Sequence, residues 1–166
     1  MNSAMSKRIR VILVEPQSPG NIGMVARAMG NFGVSELRLV NPCTYLHPEA
    51  RKFAVRAAPL LGKARVFPDL ASALADLPMS VAATRRAGKL RGELLDVADA
   101  ARLAAGLPAV EGVGLVFGRE DAGLTSDEVS GLFQSSFYRT LPDTGDSRVS
   151  TEPKPCFIWA KVQAGC

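Results

Sequence analysis

The sequence predicts an α/β fold with a mostly parallel sheet flanked by helices. Continuous apolar runs at 11–14 and 113–117 are typical of strands covered on both faces. Segments with apolar residues at helical spacing alternate with such runs along the chain. The chain has 166 residues, 47% of them hydrophobic. We therefore expect one domain over residues 1–166, with a disordered tail at 1–7 and an atypical C-terminal segment at about 143–166.

The first strand, at 11–14, leads through a turn rich in proline and glycine into a helix. Asn21 follows that turn, and its side-chain oxygen is suited to cap free N–H groups, so we expect the helix to begin there. One face of this helix combines Gly23 and Gly30 with Arg27. Because glycine lowers helix stability, two glycines on one face indicate that something packs close to the backbone there. The spacing also fits ordinary helix packing beside a solvated arginine. One face is predicted to be buried, by Ile22, Val25, Ala26 and Met29.

The remaining elements alternate between strands and helices. Helices are predicted at 48–57, from the cap Asp69 through Leu77, and at 96–105. Thr125 and Glu128 have the spacing of a capping box that begins another short helix. Further strands are predicted at 36–40, 65–67, 79–83, 113–117 and 136–141.

Three unusual loops follow predicted strands, at 15–21, 84–92 and 118–124. In parallel sheets ligands bind beyond the carboxyl ends of the strands, so we expect these loops to converge on the functional site. The second of them is basic, with Arg85, Arg86, Lys89 and Arg91. It is suited to phosphate contact, although a solvated charge run is the ordinary interpretation.

Composition limits the class of protein. The net charge of +4 and the pI of about 9.2 favour a polyanionic partner only mildly. No apolar run reaches the ~18 residues of a membrane span and no signal peptide is recognisable, so we expect a cytoplasmic protein without membrane contact. Three widely spaced cysteines and one histidine, His47, predict neither a disulfide framework nor a metal site; we expect His47 to be a surface loop residue.

Common α/β chemistries are excluded by motif spacing. Gly20, Gly23 and Gly30 do not have the spacing of a dinucleotide-binding loop. The sequence contains no P-loop and no nucleophile elbow, and its single histidine makes a catalytic triad unsupported.

Three segments carry a family resemblance: Asn-x-Gly-x-x-x-Arg at 21–27, Leu-Val-Asn-Pro at 39–42, and Val-Phe-Gly-Arg-Glu-x-x-Gly-Leu-Thr at 116–125. Together they resemble the SpoU/TrmH family of RNA ribose 2′-O-methyltransferases of the SPOUT class. They are most similar to the branch typified by the tRNA methyltransferase TrmJ. The resemblance implies a knotted α/β fold, S-adenosylmethionine as cofactor, RNA (in this branch tRNA) as substrate, and a homodimer.

The resemblance also implies residue roles. Arg27 matches the arginine credited with activating the ribose hydroxyl. Because arginine keeps its proton in proteins, we interpret Arg27 as a cation that binds the adjacent phosphate and stabilises developing alkoxide charge. Asn21 would fix the neighbouring loop. Glu120 matches the acid of the second motif and is expected to pair with Arg27 or a backbone donor, or to cap the loop.

Cofactor and RNA contacts follow from the same resemblance. The residues that match the cofactor-binding positions are Ala83, Thr84, Arg85, Gly118 and Leu141. The residues expected to contact RNA are Arg86, Lys89 and Arg119.

The resemblance fails after Pro142. The family pattern has a third motif there, close to Ser-Leu-Asn-Leu-Ser-His-Ala, and residues 150–166 do not match it. One choice of codons for residues 151–156, read one base later, gives Leu-Asn-Leu-Ser-His-Ala. We interpret this segment as a frame-shifted reading of the third motif, which sequencing of the encoding DNA tests. The alternative function is accordingly a catalytically impaired RNA-binding dimer of the same fold, without a functional cofactor pocket.

Overall fold

The computed structural model describes residues 6–84, 94–106, 112–128 and 156–161, and in this part of the chain seven strands form one sheet. The strands are β1 (Ile9–Val14), β2 (Glu36–Val40), β3 (Arg65–Phe67), β4 (Met79–Thr84), β5 (Leu94–Asp96), β6 (Val113–Phe117) and β7 (Cys156–Lys161). Their order is β3-β2-β1-β6-β4-β7-β5, and every neighbouring pair is parallel. The α/β class with a parallel sheet is therefore confirmed.

Five α-helices connect these strands in the described ranges. They are α1 (Pro19–Phe32), α2 (Pro48–Ala54), α3 (Ala58–Gly62), α4 (Leu70–Leu74) and α5 (Val97–Gly106). A 3₁₀ turn, Val55–Ala57, joins α2 to α3 and begins with Val55 at a φ of 52°. The helix predicted at 48–57 thus ends earlier, and His47 caps it by accepting a hydrogen bond from the N–H of Glu49. None of these described helices is long and apolar enough to cross a membrane.

The helices cover both faces of the sheet. On one face α1, α2 and α3 pack over β1 and β2, and α5 packs over β4 and β6. On the opposite face α4 covers the sheet centre, where Ile12 and Val116 are fully buried. Asp69 caps α4 as predicted, through the N–H of Ser72, but the helix ends at Leu74 rather than Leu77. Leu77 is nevertheless buried, because a turn returns it to the core.

Two strands were not predicted. β5 has only three residues and runs directly into α5, so it carries no readable alternation of polar and apolar residues. β7 lies in the C-terminal segment that departs from the family pattern, and it pairs with β4 along six residues. The predicted strand at 136–141 lies outside the described residues, and the knot stays a prediction. Residues 1–5 of the predicted tail also lie outside, whereas Ser6 is buried.

A buried arginine organises the interior below β2. Arg38 is only 1% exposed and donates hydrogen bonds to Glu36, to Asp76 and to the carbonyl oxygen of Ala73. Its guanidinium also lies 5.6 Å from the ring centroid of Phe67. A buried cation is tolerated only when its donors are satisfied, so this cluster fixes how α4 and the turn after it sit against the sheet.

The cluster predicts a loss of stability in acid. Hydrogen bonding from Arg38 holds the pKa of Asp76 below its ordinary value despite partial burial. The folded chain therefore takes up the Asp76 proton less readily than the unfolded chain does. This contribution to the free energy of unfolding is present above the unfolded pKa of about 3.9 and is lost as the pH falls below it.

Asp76→Asn should accordingly lower the midpoint of urea unfolding at pH 7 and make its decline below about pH 4 shallower. The measurement is a series of urea titrations across that pH range. The matched control is Asp127→Asn, at an exposed carboxylate. A decline identical in wild type and Asp76→Asn would show that Asp76 carries none of the acid sensitivity.

Candidate functional site

Two of the three predicted loops start side by side at the carboxyl edge of the sheet. β1 and β6 are neighbours, with Leu13 opposite Phe117, so the turn after β1 adjoins the loop after β6. Most of the basic loop, 84–92, lies outside the described residues. Arg85, Arg86, Lys89 and Leu141 therefore lie outside them as well.

The N-terminus of α1 faces this junction, and its cap differs from the one predicted. Ser18 has extended backbone angles, and its Oγ accepts a hydrogen bond from the N–H of Asn21 at 3.3 Å. The helix begins at Pro19, because proline favours the first helical position and serine satisfies a free donor behind it. The prediction that Asn21 caps the helix was therefore wrong. Its side chain is free for another contact.

Glu120 joins the two loops. Its carboxylate accepts hydrogen bonds from the N–H of Gln17 at 2.9 Å, from the N–H of Ser18 at 3.2 Å and from Nδ2 of Asn21 at 3.2 Å. Partial burial opposes ionisation of Glu120, but these donors outweigh it and place its pKa below the ordinary value. The sequence left Arg27 or a backbone donor open as the partner of Glu120, and in the structure Glu120 accepts from backbone donors. The carboxylate thus lies at the positive end of the α1 dipole.

Arg119 does not have the exposed position expected of an RNA contact. It donates to Glu15 at 2.7–2.8 Å and to both carboxylate oxygens of Glu128 at 3.0 and 3.1 Å, and its side chain is only 15% exposed. Hydrogen bonds, first those to Glu128, raise the pKa of Arg119. Its donors are directed at two protein carboxylates, and its predicted contact with RNA stays a prediction.

The loop after β6 is a tight hairpin. Arg119 and Gly123 exchange two backbone hydrogen bonds, of 3.1 and 2.9 Å. A Cβ added at Gly118 would lie 2.2 Å from the carbonyl carbon of Gly123, so the close approach at Gly118 comes from its own hairpin. The predicted capping box follows and is confirmed, since Thr125 and Glu128 each accept from the other's N–H.

Arg27 is exposed on α1, and in the part of the chain that the structure describes it makes no hydrogen bond or ion pair. It lies six residues beyond Asn21, which is about 9 Å along the axis and on a different helix face. The structure therefore brings Asn21 and Glu120 together but does not join Arg27 to them. The expected pairing of Arg27 with Glu120 is absent from the described contacts.

The positions predicted to bind the cofactor, where the structure describes them, adjoin one another. β4 and β6 are neighbours with Ala82 opposite Val116, so Ala83 and Thr84 end beside Phe117 and Gly118. A single ligand can therefore touch both strand ends. β7 runs along the other side of β4, with Thr84 opposite Lys161.

A cavity of about 610 Å³ opens between α1 and β6 next to this edge. Asn21, Gly118 and Glu120 line its polar end. Apolar side chains line most of the rest, and Met24, Phe32 and Phe117 among them are exposed. Three residues predicted for the site thus share one cavity wall. No group of three His, Cys, Asp or Glu side chains that could hold a metal ion occurs in the described ranges.

Sequence reasoning missed several residues at this junction. Ser18 had a signal, since serine immediately before proline is typical of a helix N-terminus. Glu15, at the end of β1 with a φ of 45°, and Gln17 had none, because their partners lie over one hundred residues away in the sequence.

Glu120→Gln is expected to destabilise the junction by about 1 kcal/mol, because it removes the charge from a capping contact at a helix N-terminus. For a chain of this size that corresponds to a fall of about 2–4 °C in Tm. Thermal unfolding at pH 7 measures it, with Asp127→Asn as the control for loss of one exposed charge. An unchanged Tm in Glu120→Gln would contradict the capping role.

The sequence profile of the SpoU rRNA Methylase family matches residues 8–137. Among curated proteins, the tRNA (cytidine/uridine/adenosine-2'-O-)-methyltransferase TrmJ of Pseudomonas aeruginosa is 42% identical over 139 residues, which is 83% of this chain and 53% of the relative. The tRNA (cytidine/uridine-2'-O-)-methyltransferase TrmJ of Salmonella typhimurium is 38% identical over 125 residues, 75% of this chain and 51% of the relative.

A solved structure is similar over more of the chain. The crystal structure of TrmJ from Z. mobilis ZM4 aligns with a TM-score of 0.71 and 34% identity, covering 93% of this chain and 59% of that protein. The chain thus spans about half the length of the curated relatives it matches. A family profile that matches most of the sequence, together with these relatives, shows that the chain belongs to the SpoU rRNA methylase family.

Proposed function

We propose that this chain is the catalytic domain of a tRNA ribose 2′-O-methyltransferase. The observation that carries the proposal is the junction of the two family motifs, where Glu120 accepts hydrogen bonds from Gln17, Ser18 and Asn21 at the carboxyl ends of β1 and β6. Curated relatives that carry this activity by name match the chain across this region. The homodimer that the resemblance implies and the cytoplasmic location expected from the sequence belong to the same proposal.

Each residue at the junction has a definite task in this reaction. Glu120 and Asn21 hold the turn after β1 against the loop after β6, which keeps both sides of the site in register. Arg119 fastens the same loop through Glu15 and Glu128. Arg27, exposed on α1, binds the phosphate next to the target ribose and stabilises negative charge as the 2′-hydroxyl gives up its proton to water. Positioning and charge stabilisation are thus the contribution of the protein.

S-adenosylmethionine supplies an activated methyl group on a sulfonium, so transfer needs no further activation of the donor. Ala83, Thr84 and Gly118 would hold it, because the ends of β4 and β6 adjoin. The proposal also assigns Arg85 and Leu141 to the cofactor pocket. It assigns Arg86 and Lys89 to contact with the RNA.

The test is methyl transfer from tritiated S-adenosylmethionine to bulk tRNA. We expect counts in RNA from this chain or from a version in which the third motif is restored at residues 151–156. Transfer by neither protein would contradict the proposed activity.

A second function is favoured by one observation, the end of the family match at residue 137. The segment beyond it lacks the third motif, and part of it forms β7 instead. A chain altered in this way would be an RNA-binding dimer without cofactor affinity. Calorimetric titration with S-adenosylhomocysteine separates the two functions, because binding supports the enzyme, whereas tRNA binding without cofactor binding supports the binding protein.

A further inference from the structure

A second cavity, of about 600 Å³, opens at the carboxyl ends of β2 and β3. Its walls are the loop 41–46 and the segment 66–68, none of which the family resemblance assigns to cofactor or RNA contact. The cavity lies along the same edge of the sheet as the candidate site, which is where parallel sheets bind their ligands.

Backbone hydrogen bonds connect this cavity to the candidate site. The N–H of Cys43 donates to the carbonyl oxygen of Pro16 at 3.1 Å, and the N–H of Glu15 donates to that of Val40 at 2.8 Å. The turn after β1 therefore has the cavity loop on one side and Glu120 on the other. Burial, and then the charge of Glu120, raise the pKa of the Cys43 thiol, which agrees with this proximity.

The lining combines exposed apolar side chains with one aromatic ring that can offer a stacking surface. Leu46 and Val66 are 45% and 52% exposed, and the ring of Tyr45 is half-buried with its inner side against the core. Asn41 and Thr44 add an amide and a hydroxyl to the same lining. Proteins that read unpaired RNA stack its bases on aromatic side chains and hydrogen-bond to the base edges.

A cation, Arg65, lies beside Phe67, one of the residues that line the cavity. Arg65 is well exposed, with its guanidinium 5.0 Å from the ring centroid of Phe67 and 3.6 Å from a carboxylate oxygen of Glu36. The net charge of the chain is +4. A phosphate attached to a bound nucleotide would find complementary charge there, whereas an uncharged apolar peptide would not use it.

We propose that this cavity binds one unpaired base of the RNA substrate, close to the nucleotide whose ribose is methylated. Tyr45 stacks on the base, Leu46 and Val66 contact its apolar surface, and Asn41 reads its polar edge. The proposal rests on the proposed function, since it names the part of the RNA that this domain recognises beyond the target ribose.

The test uses short RNA hairpins with an unpaired loop, each lacking the base at one loop position. Dissociation constants are measured by fluorescence anisotropy at fixed salt for wild type, Tyr45→Ala, Tyr45→Phe and Val66→Thr. Loss of one aromatic stacking partner should weaken binding of the intact hairpin by roughly 5- to 150-fold. Tyr45→Phe should retain wild-type affinity. Leu103→Ala, at a partly exposed leucine on α5, is the matched control.

The decisive result comes from combining each protein variant with each hairpin that lacks one base. At one loop position, removal of the base should weaken RNA binding by the wild-type protein as much as Tyr45→Ala weakens binding of the intact hairpin. With the hairpin that lacks that base, Tyr45→Ala should cause no further loss. Equal weakening by Tyr45→Ala at every position, or none, would overturn the cavity assignment. Val66→Thr, at an exposed position, repeats the comparison should Tyr45→Ala prove unfolded. Wild type without affinity for any hairpin would overturn the proposed function as well, which separates the two failures.

Discussion

Arg27→Ala is expected to reduce methyl transfer to tRNA by about 10²–10³-fold, the usual loss on removing one group that stabilises transition-state charge. The side chain is exposed on α1 and has no described partner, so its removal should leave the fold intact. Affinity for S-adenosylhomocysteine should also remain, because Arg27 is not among the cavity-lining residues beside Gly118. The effect is measured as the ratio of single-turnover rates of the parent chain and Arg27→Ala. If the native chain is inactive, both are measured in the version with the third motif restored.

Arg27→Lys distinguishes charge stabilisation from proton abstraction. A lysine keeps the positive charge but loses the planar fork of donors, so we expect partial activity with an unshifted pH profile. Arg102→Ala, which removes an exposed arginine from α5, should change nothing. Unchanged turnover in Arg27→Ala would remove Arg27 from the mechanism.

The fold could be predicted from the sequence wherever burial leaves a local pattern. Strands such as β1 and β6 are continuous apolar runs because helices cover both faces of the sheet. Short elements at the margins, such as β5, carry no such pattern, since three residues are compatible with several structures. The neighbours of each strand were also beyond local reasoning, because pairing joins Met79 in β4 to Cys156 in β7, far along the chain.

The site was predictable in its residue types but not in its contacts. Asn21 and Glu120 were named from the resemblance, yet their hydrogen bond joins residues 99 apart. Arg119 was named as an RNA contact from the resemblance, and nothing local in the sequence shows that its guanidinium donates to Glu15 and Glu128. Long-range ion pairs of this kind have no periodic signature in a single sequence.

Gly23→Ala is expected to lower the free energy of unfolding by about 2–3 kcal/mol, the upper part of the range for overpacking a core. A Cβ at this position would lie 2.2 Å from the carbonyl oxygen of Ala50, in the backbone of α2. That obstacle cannot rotate away, so α2 must move from α1. The gain in helix propensity, up to about 1 kcal/mol, offsets only part of this cost. For a chain of this size Tm should fall by about 5–10 °C.

Two other helical glycines supply a graded control for Gly23→Ala. A Cβ at Gly30 would meet only the Cβ of Ala57 at 3.0 Å, whereas nothing lies within 4 Å of one at Gly62. Gly30→Ala should therefore cost less, and Gly62→Ala should be neutral or stabilising by up to about 1 kcal/mol. This order attributes the glycines beside Arg27 to the packing of α2 and the following 3₁₀ turn on α1. If Gly23→Ala were as stable as wild type but lost tRNA affinity, the glycine would instead serve a ligand, which is the alternative that the sequence left open.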